Sequence, residues 1–151
     1  MVNDTANKLL VAFSFEVIIA GVGDDNAFQE ASGLDVEIEF ETVNEGGENG
    51  FAHKLPKAQK HPNFVVKRGV ARKSGGLVKW CKEVFEGGFE QPIRPANIDV
   101  NLLDEKGKPA ASWSLTRAWP VKWSIGGLDA AKNALAIETI EFAYNSIKRT
   151  L

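Results

Sequence analysis

The sequence predicts a mainly β domain, a small antiparallel β-barrel or sandwich with one α-helix at about residues 74–86. Three observations lead there. Apolar side chains recur at every second position in segment after segment, which is the period of a half-buried strand. Helical spacing occurs convincingly only between Ser74 and Glu86. The segments are mostly joined by short turns of Gly, Asn, Asp and Pro, which favour antiparallel neighbours.

The polar stretch up to about Lys8 reads as an arm. Val11, Phe13, Phe15, Val17 and Ile19 then share one face of a strand, and Gly21 to Asn26 turns the chain. Phe28 restarts it and Ser32-Gly33 breaks it. The next alternation is the cleanest: Leu34, Val36, Ile38 and Phe40 on one face, Asp35, Glu37, Glu39 and Glu41 on the other. Such a pattern predicts one buried and one wet face. Asn44 to Lys60 is polar and glycine-rich, a long loop of the kind that is usually functional or disordered. Phe51, His53 and Leu55 alternate inside it, as in an extended arm. Phe64 to Arg68 is a short strand ending at Gly69.

In the helix, Leu77, Trp80, Cys81, Val84 and Phe85 form the apolar stripe, Ser74 is the expected cap, and Gly87-Gly88 the stop. Ile98, Val100 and Leu102 alternate with Asn97, Asp99 and Asn101. The turn Asp104 to Pro109 returns the chain through Trp113 and Leu115, completing a hairpin with an apolar and a hydroxyl/amide face. Trp119 to Trp123 reads as a further strand, with Pro120 favouring an edge or a first position. Gly126 to Asp129 opens a turn, with a helical turn expected near Ala130 to Asn133. Leu135 to Ile147 closes the chain as a long strand. The total is seven or eight strands, one domain over residues 1–151, and no internal repeat.

Composition narrows the function. The chain has 151 residues, 44% hydrophobic and 25% charged, enough for a core. Eighteen basic against 20 acidic residues give a net charge of -2, which argues against sequence-independent duplex binding. One cysteine, Cys81, excludes an intrachain disulfide and a multi-cysteine zinc site. The opening Met1-Val2-Asn3-Asp4-Thr5 lacks a signal-peptide pattern, and no apolar run reaches the roughly 20 residues of a membrane helix. Cytoplasmic synthesis without stable membrane association is the expectation.

No catalytic, cofactor or metal site emerges. Gly46-Gly47-Glu48-Asn49-Gly50 lacks the following helix of a phosphate loop. His53, His61 and Cys81 lack the close pairing of zinc ligands, and Cys81 lies on the apolar helix stripe, where a buried thiol is the simpler reading. No nucleophile-elbow pattern accompanies the serines. Lys67, Arg68, Arg72 and Lys73 read as a solvated face or as partners for another copy's acids, not as a nucleic-acid patch. Of four tryptophans, Trp80 and Trp113 suit the core, while Trp119 and Trp123 suit core or interface. The acidic row is either a solvated face or a like-charged wall along which something slides.

Three segments in register carry a resemblance. They are Phe28 to Glu39 (FQEASGLDVEIE); Gly46 to Pro56 (GGENGFAHKLP) running through Pro62-Asn63-Phe64 to Gly69; and Trp119 to Trp123 (WPVKW) followed by Ala134 to Phe142 (ALAIETIEF). Together they resemble phage tail tube proteins, including the inner-tube proteins of extracellular contractile injection systems, over about Phe13 to Tyr144. The resemblance implies six-membered rings stacked into a hollow tube, a conduit for DNA or protein cargo. It implies sheath, baseplate or hub, and terminator proteins as partners, and a virion tail or released particle as the destination. The secreted tube proteins of type VI secretion share this architecture. The family brings no catalytic residues.

On that basis Asp35, Glu37, Glu39 and Glu41 are candidates for the lumen lining, with the hydroxyl/amide face of the Asn97–Thr116 hairpin as a rival. Glu45, Gly46, Gly47, Glu48, Asn49, Gly50, Phe51, His53, Lys54 and Leu55 are candidates for an inter-subunit loop, within an assembly loop at about 44–60. A monomeric lipocalin-like barrel that binds a small molecule is the alternative, and a β-sandwich enzyme the third reading.

Overall fold

A computed structural model describes residues 14–23, 25–44, 52–70, 75–88, 90–132 and 135–151. Nine strands and one helix follow in the order β1 (Phe15–Ile19), β2 (Glu30–Ser32), β3 (Glu37–Asn44), β4 (Ala52–Lys60), β5 (Phe64–Gly69), α1 (Gly76–Glu86), β6 (Ala96–Leu103), β7 (Pro109–Ile125), β8 (Ile137–Ala143) and β9 (Ser146–Arg149). All pairings are antiparallel. The main sheet runs β1-β6-β7-β8-β5-β2, with β9 also on β7; β3 and β4 form a separate two-stranded sheet. The end strands β1 and β2 do not pair, so the sheet does not close into a barrel. The barrel form of the expectation gives way to an open, folded-over sheet.

The 17-residue β7 makes this possible. Its first half pairs with β6 and β9, its second half with β8. Between the halves Arg117 adopts φ 51°, the left-handed region, and its amide donates to Asn97 Oδ1 at 3.1 Å. Two residues of β7 stand where β6 has one, between the pairs Ile98–Leu115 and Ala96–Ala118. That extra residue resets the alternation: Leu115 is buried, and next Ala118 and Pro120 rather than Arg117 and Trp119. The phase break is why the sequence reads as two strands. Pro120 sits inside the strand, fully buried, beside an irregularity of the β7–β8 register, where a missing N–H is tolerated. The closing segment likewise divides, into β8 and β9, at Tyr144-Asn145, where the Asn145 amide donates to Thr116 O at 2.9 Å. The stretch after Asp129 makes only a turn, its first amides held by the Asp129 carboxylate and carbonyl.

One core joins both halves of the sheet to the helix. Val17 and Ile19 of β1, Ile98 and Val100 of β6, Leu115 of β7, Phe64 and Val66 of β5, and Ile140 and Phe142 of β8 meet Leu77, Trp80 and Cys81 of α1. The Trp80 indole N–H donates to Arg94 O at 3.1 Å, giving its one polar atom a partner.

The beginning of the helix differs from expectation. Ser74 lies outside the described residues, and the cap position is Gly75, which offers no side chain. Asp25 supplies the missing acceptor from a distant loop: its Oδ2 takes hydrogen bonds from the amides of Leu77 (3.0 Å) and Val78 (3.3 Å), satisfying orphan donors of the first turn. A side chain at Gly75 would collide with that carboxylate, which accounts for the glycine.

Candidate functional site

The cleanest alternation in the sequence becomes β3, but its apolar face is not buried. β3 pairs with β4 into a ribbon whose every described residue is exposed. No other described strand or helix approaches it. Leu34, just before the ribbon, still packs against the core. Val36, Ile38 and Phe40 then stand 50%, 58% and 56% exposed. The alternation forms a strand; no other described strand or helix covers it. This is the largest departure from the sequence reading.

Directly opposed residues of an antiparallel pair share a face. Ile38 faces Gln59, Phe40 faces Pro56, and Thr42 faces Lys54. The Lys54 ammonium lies 4.8 Å from the Phe40 ring centroid, a cation–π contact on that same face. The other face carries Glu37, Glu39, Glu41 and Val43, with Lys60 across from Glu37, Leu55 across from Glu41 and His53 across from Val43. Lys60 Nζ lies 3.4 Å from Glu39 Oε1. The acidic row is therefore interrupted by a cation rather than uniform, and as an exposed pair this contact contributes little to stability. Asp35 is exposed and precedes β3. Of the loop candidates, Glu45, Gly46, Gly47, Glu48, Asn49, Gly50 and Phe51 lie outside the described residues, whereas His53, Lys54 and Leu55 lie in β4. The expected long loop is thus in good part the second strand of a ribbon.

The root of the ribbon is pinned on both legs. On the returning leg, the His61 ring stacks on Tyr144, centroids 3.9 Å apart and planes 6° from parallel, with its nitrogens 3.2 Å from Pro62 O and 3.4 Å from Asn145 O. On the outgoing leg, the Tyr144 hydroxyl donates to Gly33 O at 3.3 Å. Gly33 has φ +98°, and a Cβ there would strike the Asn63 carbonyl, so only glycine lets the two legs cross so closely. Burial, then the nearby charge of Asp35, pushes the Tyr144 phenol above its ordinary pKa.

Beneath this, the body holds a charge cluster that the sequence reading missed. Arg68, expected on a solvated face, is buried. Its Nε donates to Glu138 Oε2 at 2.9 Å and its Nη1 to Asp25 Oδ1 at 2.5 Å. The Trp123 indole N–H donates to the second Glu138 oxygen at 2.6 Å. Burial works against ionisation of Asp25, but Arg68 and the Val78 and Leu77 amides outweigh it and hold the carboxyl below its ordinary range. For Arg68, burial is likewise outweighed by the two carboxylates. The signal lay in the alternation: Phe64, Val66 and Arg68 share one row, and Glu138, Ile140 and Phe142 another, so each strand carries one charge in an inward row. Lys67 is exposed and pairs with Glu30 at 3.8 Å; Arg72 and Lys73 lie outside the described residues.

The remaining candidates are structural. Cys81 is buried in the core, and burial, aided by the Glu138 charge, pushes its thiol up to about 12. The hydroxyl/amide face of the β6–β7 hairpin is partly internal: Ser112 Oγ donates to Asn101 Oδ1 at 2.7 Å, and Asn101 Nδ2 to Glu16 Oε1 at 2.9 Å. Among the described residues no group of three His, Cys, Asp or Glu could hold a metal ion, and no helix is long and apolar enough to cross a membrane.

Among the described residues, each end strand of the sheet keeps one edge without a strand partner, and the β3–β4 ribbon stands exposed. Comparison places the chain in a family: residues 11–148 match the T4-like virus tail tube protein gp19 family, and the chain belongs to it. Among curated proteins none matches. Of solved structures, a chain of the anti-feeding prophage (AFP) baseplate, 6-fold symmetrised, is 28% identical over 95% of this chain and 96% of that one, with a TM-score of 0.81. A chain of the PVC sheath-tube complex, an extracellular contractile injection system in the extended state, is 20% identical over 97% and 94%, also with a TM-score of 0.81. Hcp1 from Flavobacterium johnsoniae is 14% identical over 90% and 94%, with a TM-score of 0.51, a likeness of fold alone. This chain is accordingly a tube protein of the contractile-tail class, structural in kind.

Proposed function

We propose that this protein closes six-membered rings which stack into the hollow inner tube of a contractile phage tail or phage-tail-like injection system, a conduit for DNA or protein cargo. The observation that carries this reading is the β3–β4 ribbon, pinned at its root yet covered by no other described strand or helix. Apolar side chains arranged so regularly on a standing ribbon are costly to leave in water. A neighbouring subunit supplies their cover. The 6-fold symmetrised AFP baseplate supports six copies per ring.

With Ile38 and Phe40 turned onto a neighbour, the opposite face with Glu37, Glu39 and Glu41 remains in water. We assign that face, with Asp35, to the lumen side, where negative charge repels phosphates and acidic cargo surfaces. The candidate inter-subunit segment, Glu45 to Leu55, reaches the next subunit or ring. Sheath, baseplate or hub, and terminator proteins are the further partners, and the AFP baseplate and PVC sheath-tube structures lend this support. The tube is a non-catalytic conduit without cofactor, made in the cytoplasm and carried in a virion tail or a released particle.

Deleting Glu45 to Lys57 tests the reading. The expected product is a folded monomer, by circular dichroism and light scattering, that forms no rings or tubes in negative-stain electron microscopy. Tubes formed by that variant would refute the assembly role of the ribbon.

A further inference from the structure

Among the described residues, Arg117 is the one non-glycine residue with a positive φ, 51°. An arginine gains nothing from the left-handed region, which glycine or asparagine adopts at lower cost. The fold nevertheless pins it there from both sides of β7. Asn97 Oδ1 on β6 accepts the Arg117 amide at 3.1 Å, and Thr116 O accepts the Asn145 amide from the β8–β9 connection at 2.9 Å. Strain held in place by its surroundings clusters at functional sites, so the outlier asks what the side chain does. Arg117 is exposed and lines an open hollow of about 260 Å³ with Ile93, Pro95, Trp119 and Asn145. No acidic side chain lines that hollow. Among the described residues no carboxylate pairs with the guanidinium, and neither the Trp119 indole N–H nor the Asn145 side-chain amide makes a hydrogen bond. Arg94, one residue before Pro95, is by contrast already paired, with Glu83 at 3.1 Å.

We propose that this hollow is an interaction site for a glutamate or aspartate side chain presented by a partner protein, with Arg117 as its anchor. Charge complementarity selects the occupant: one unpaired cation and two further unpaired donors, with no acid among them, suit an oxyanion. The planar guanidinium fork matches a carboxylate with two parallel hydrogen bonds, and the Trp119 and Asn145 N–H groups supply additional donors. The hollow is smaller than the pockets that enclose small-molecule ligands, and its size suits a single side chain. Ile93, Pro95 and the Trp119 ring offer apolar contact to the methylenes of that side chain. Tryptophan and arginine are also the residues that most often carry binding energy at protein interfaces. The strained backbone acquires a purpose, since it sets an arginine at a position where the fold alone would be served by glycine. The site belongs to the kink of β7 and the segment before β6, and it depends neither on the ribbon nor on the number of subunits in a ring.

Fluorescence anisotropy with the full-length protein tests this. The probe is a Gly-Glu-Glu-Gly peptide carrying an uncharged fluorophore, titrated at low salt beside the same peptide with glutamine for glutamate. The glutamate peptide is expected to bind saturably, and the glutamine peptide roughly tenfold more weakly, as the loss of a charge-assisted pair implies. Arg117→Gly should also weaken the glutamate peptide by roughly tenfold. It should leave the urea midpoint unchanged or higher, because glycine relieves the backbone. Arg117→Asn, which tolerates the left-handed region without a charge, is the second variant should Arg117→Gly fold poorly. Lys106→Gln removes an exposed cation from the β6–β7 turn and should bind as the unaltered protein does. Absence of saturable binding would overturn the proposal, as would equal weakening by Lys106→Gln, which would reduce the effect to general charge. A urea midpoint lowered by both Arg117 variants would make the residue structural instead. Inorganic phosphate displacing the peptide at a lower concentration than N-acetylglutamate would overturn the carboxylate as occupant.

Discussion

Arg68 and Glu138 face each other across neighbouring strands β5 and β8, both buried, with Arg68 Nε 2.9 Å from Glu138 Oε2. Asp25 completes the arginine's coordination from the loop after β1, and the same carboxylate caps α1. Thus one guanidinium ties together the sheet, the β1–β2 connection and the start of the helix. Arg68→Met is expected to leave two carboxylates without their cation. Breaking a buried pair in this way costs about 3–5 kcal/mol. Urea denaturation followed by tryptophan fluorescence measures the loss, and a change under about 1 kcal/mol would show the cluster to be incidental.

The Asp25 carboxyl gives that cluster a pH dependence of known sign. Its folded pKa lies below the ordinary 3.8, because Arg68 and the helix amides stabilise the ionised form. A group depressed on folding contributes stability that is full above its unfolded pKa and is lost as pH falls through the folded value. Thermal melts from pH 6 downward should show the native protein losing stability in the window beneath about pH 4. An Asp25→Asn variant should start less stable at pH 6 and lose less over the same interval. Parallel curves would remove Asp25 as a source of acid sensitivity.

Cys81 should behave as a core atom rather than a reagent. Its thiol is buried and pushed up to about 12, so at pH 8 it is almost wholly protonated, and the thiolate is the reactive form. Ellman's reagent is expected to react with the native protein at a small fraction of the rate seen in urea, with kinetics that follow opening of the helix–sheet contact. A fast native reaction would place Cys81 elsewhere than against the sheet.

How much of this was legible depended on whether the forces were local. Alternation located the strands, and the apolar stripe from Leu77 to Phe85 located α1, because burial periodicity is written in adjacent residues. The continuity of β7 was hidden, since the extra residue at Arg117 resets the pattern and imitates a break. Burial of Val36, Ile38 and Phe40 was misread for another reason: alternation reports which side chains seek cover, not which chain provides it. The Arg68–Glu138 pair was present as a charge in each of two apolar rows, but its meaning depends on a register that only the fold supplies. The helix cap was beyond local reading, because Asp25 arrives from 52 residues away from Leu77.

The ribbon predicts a separation between stability and assembly. Ile38 and Phe40 are more than half exposed, and among the described strands and helix only β4 contacts the strand that carries them. Changing both to serine should therefore alter monomer stability by no more than about 0.5 kcal/mol, as for surface positions generally. If the ribbon is buried against a neighbour, the same change removes two apolar side chains from the interface, each contributing on the order of 1.5–3 kcal/mol when fully buried. Repeated at every contact around a ring, that loss is expected to shift the sample from rings or tubes to monomers by light-scattering mass and electron microscopy. Glu37→Gln with Glu39→Gln is the matched control on the opposite face: assembly should persist and passage of cargo or DNA should change. Loss of assembly in that control would make the acidic face an interface, and the lumen would then be lined by another surface.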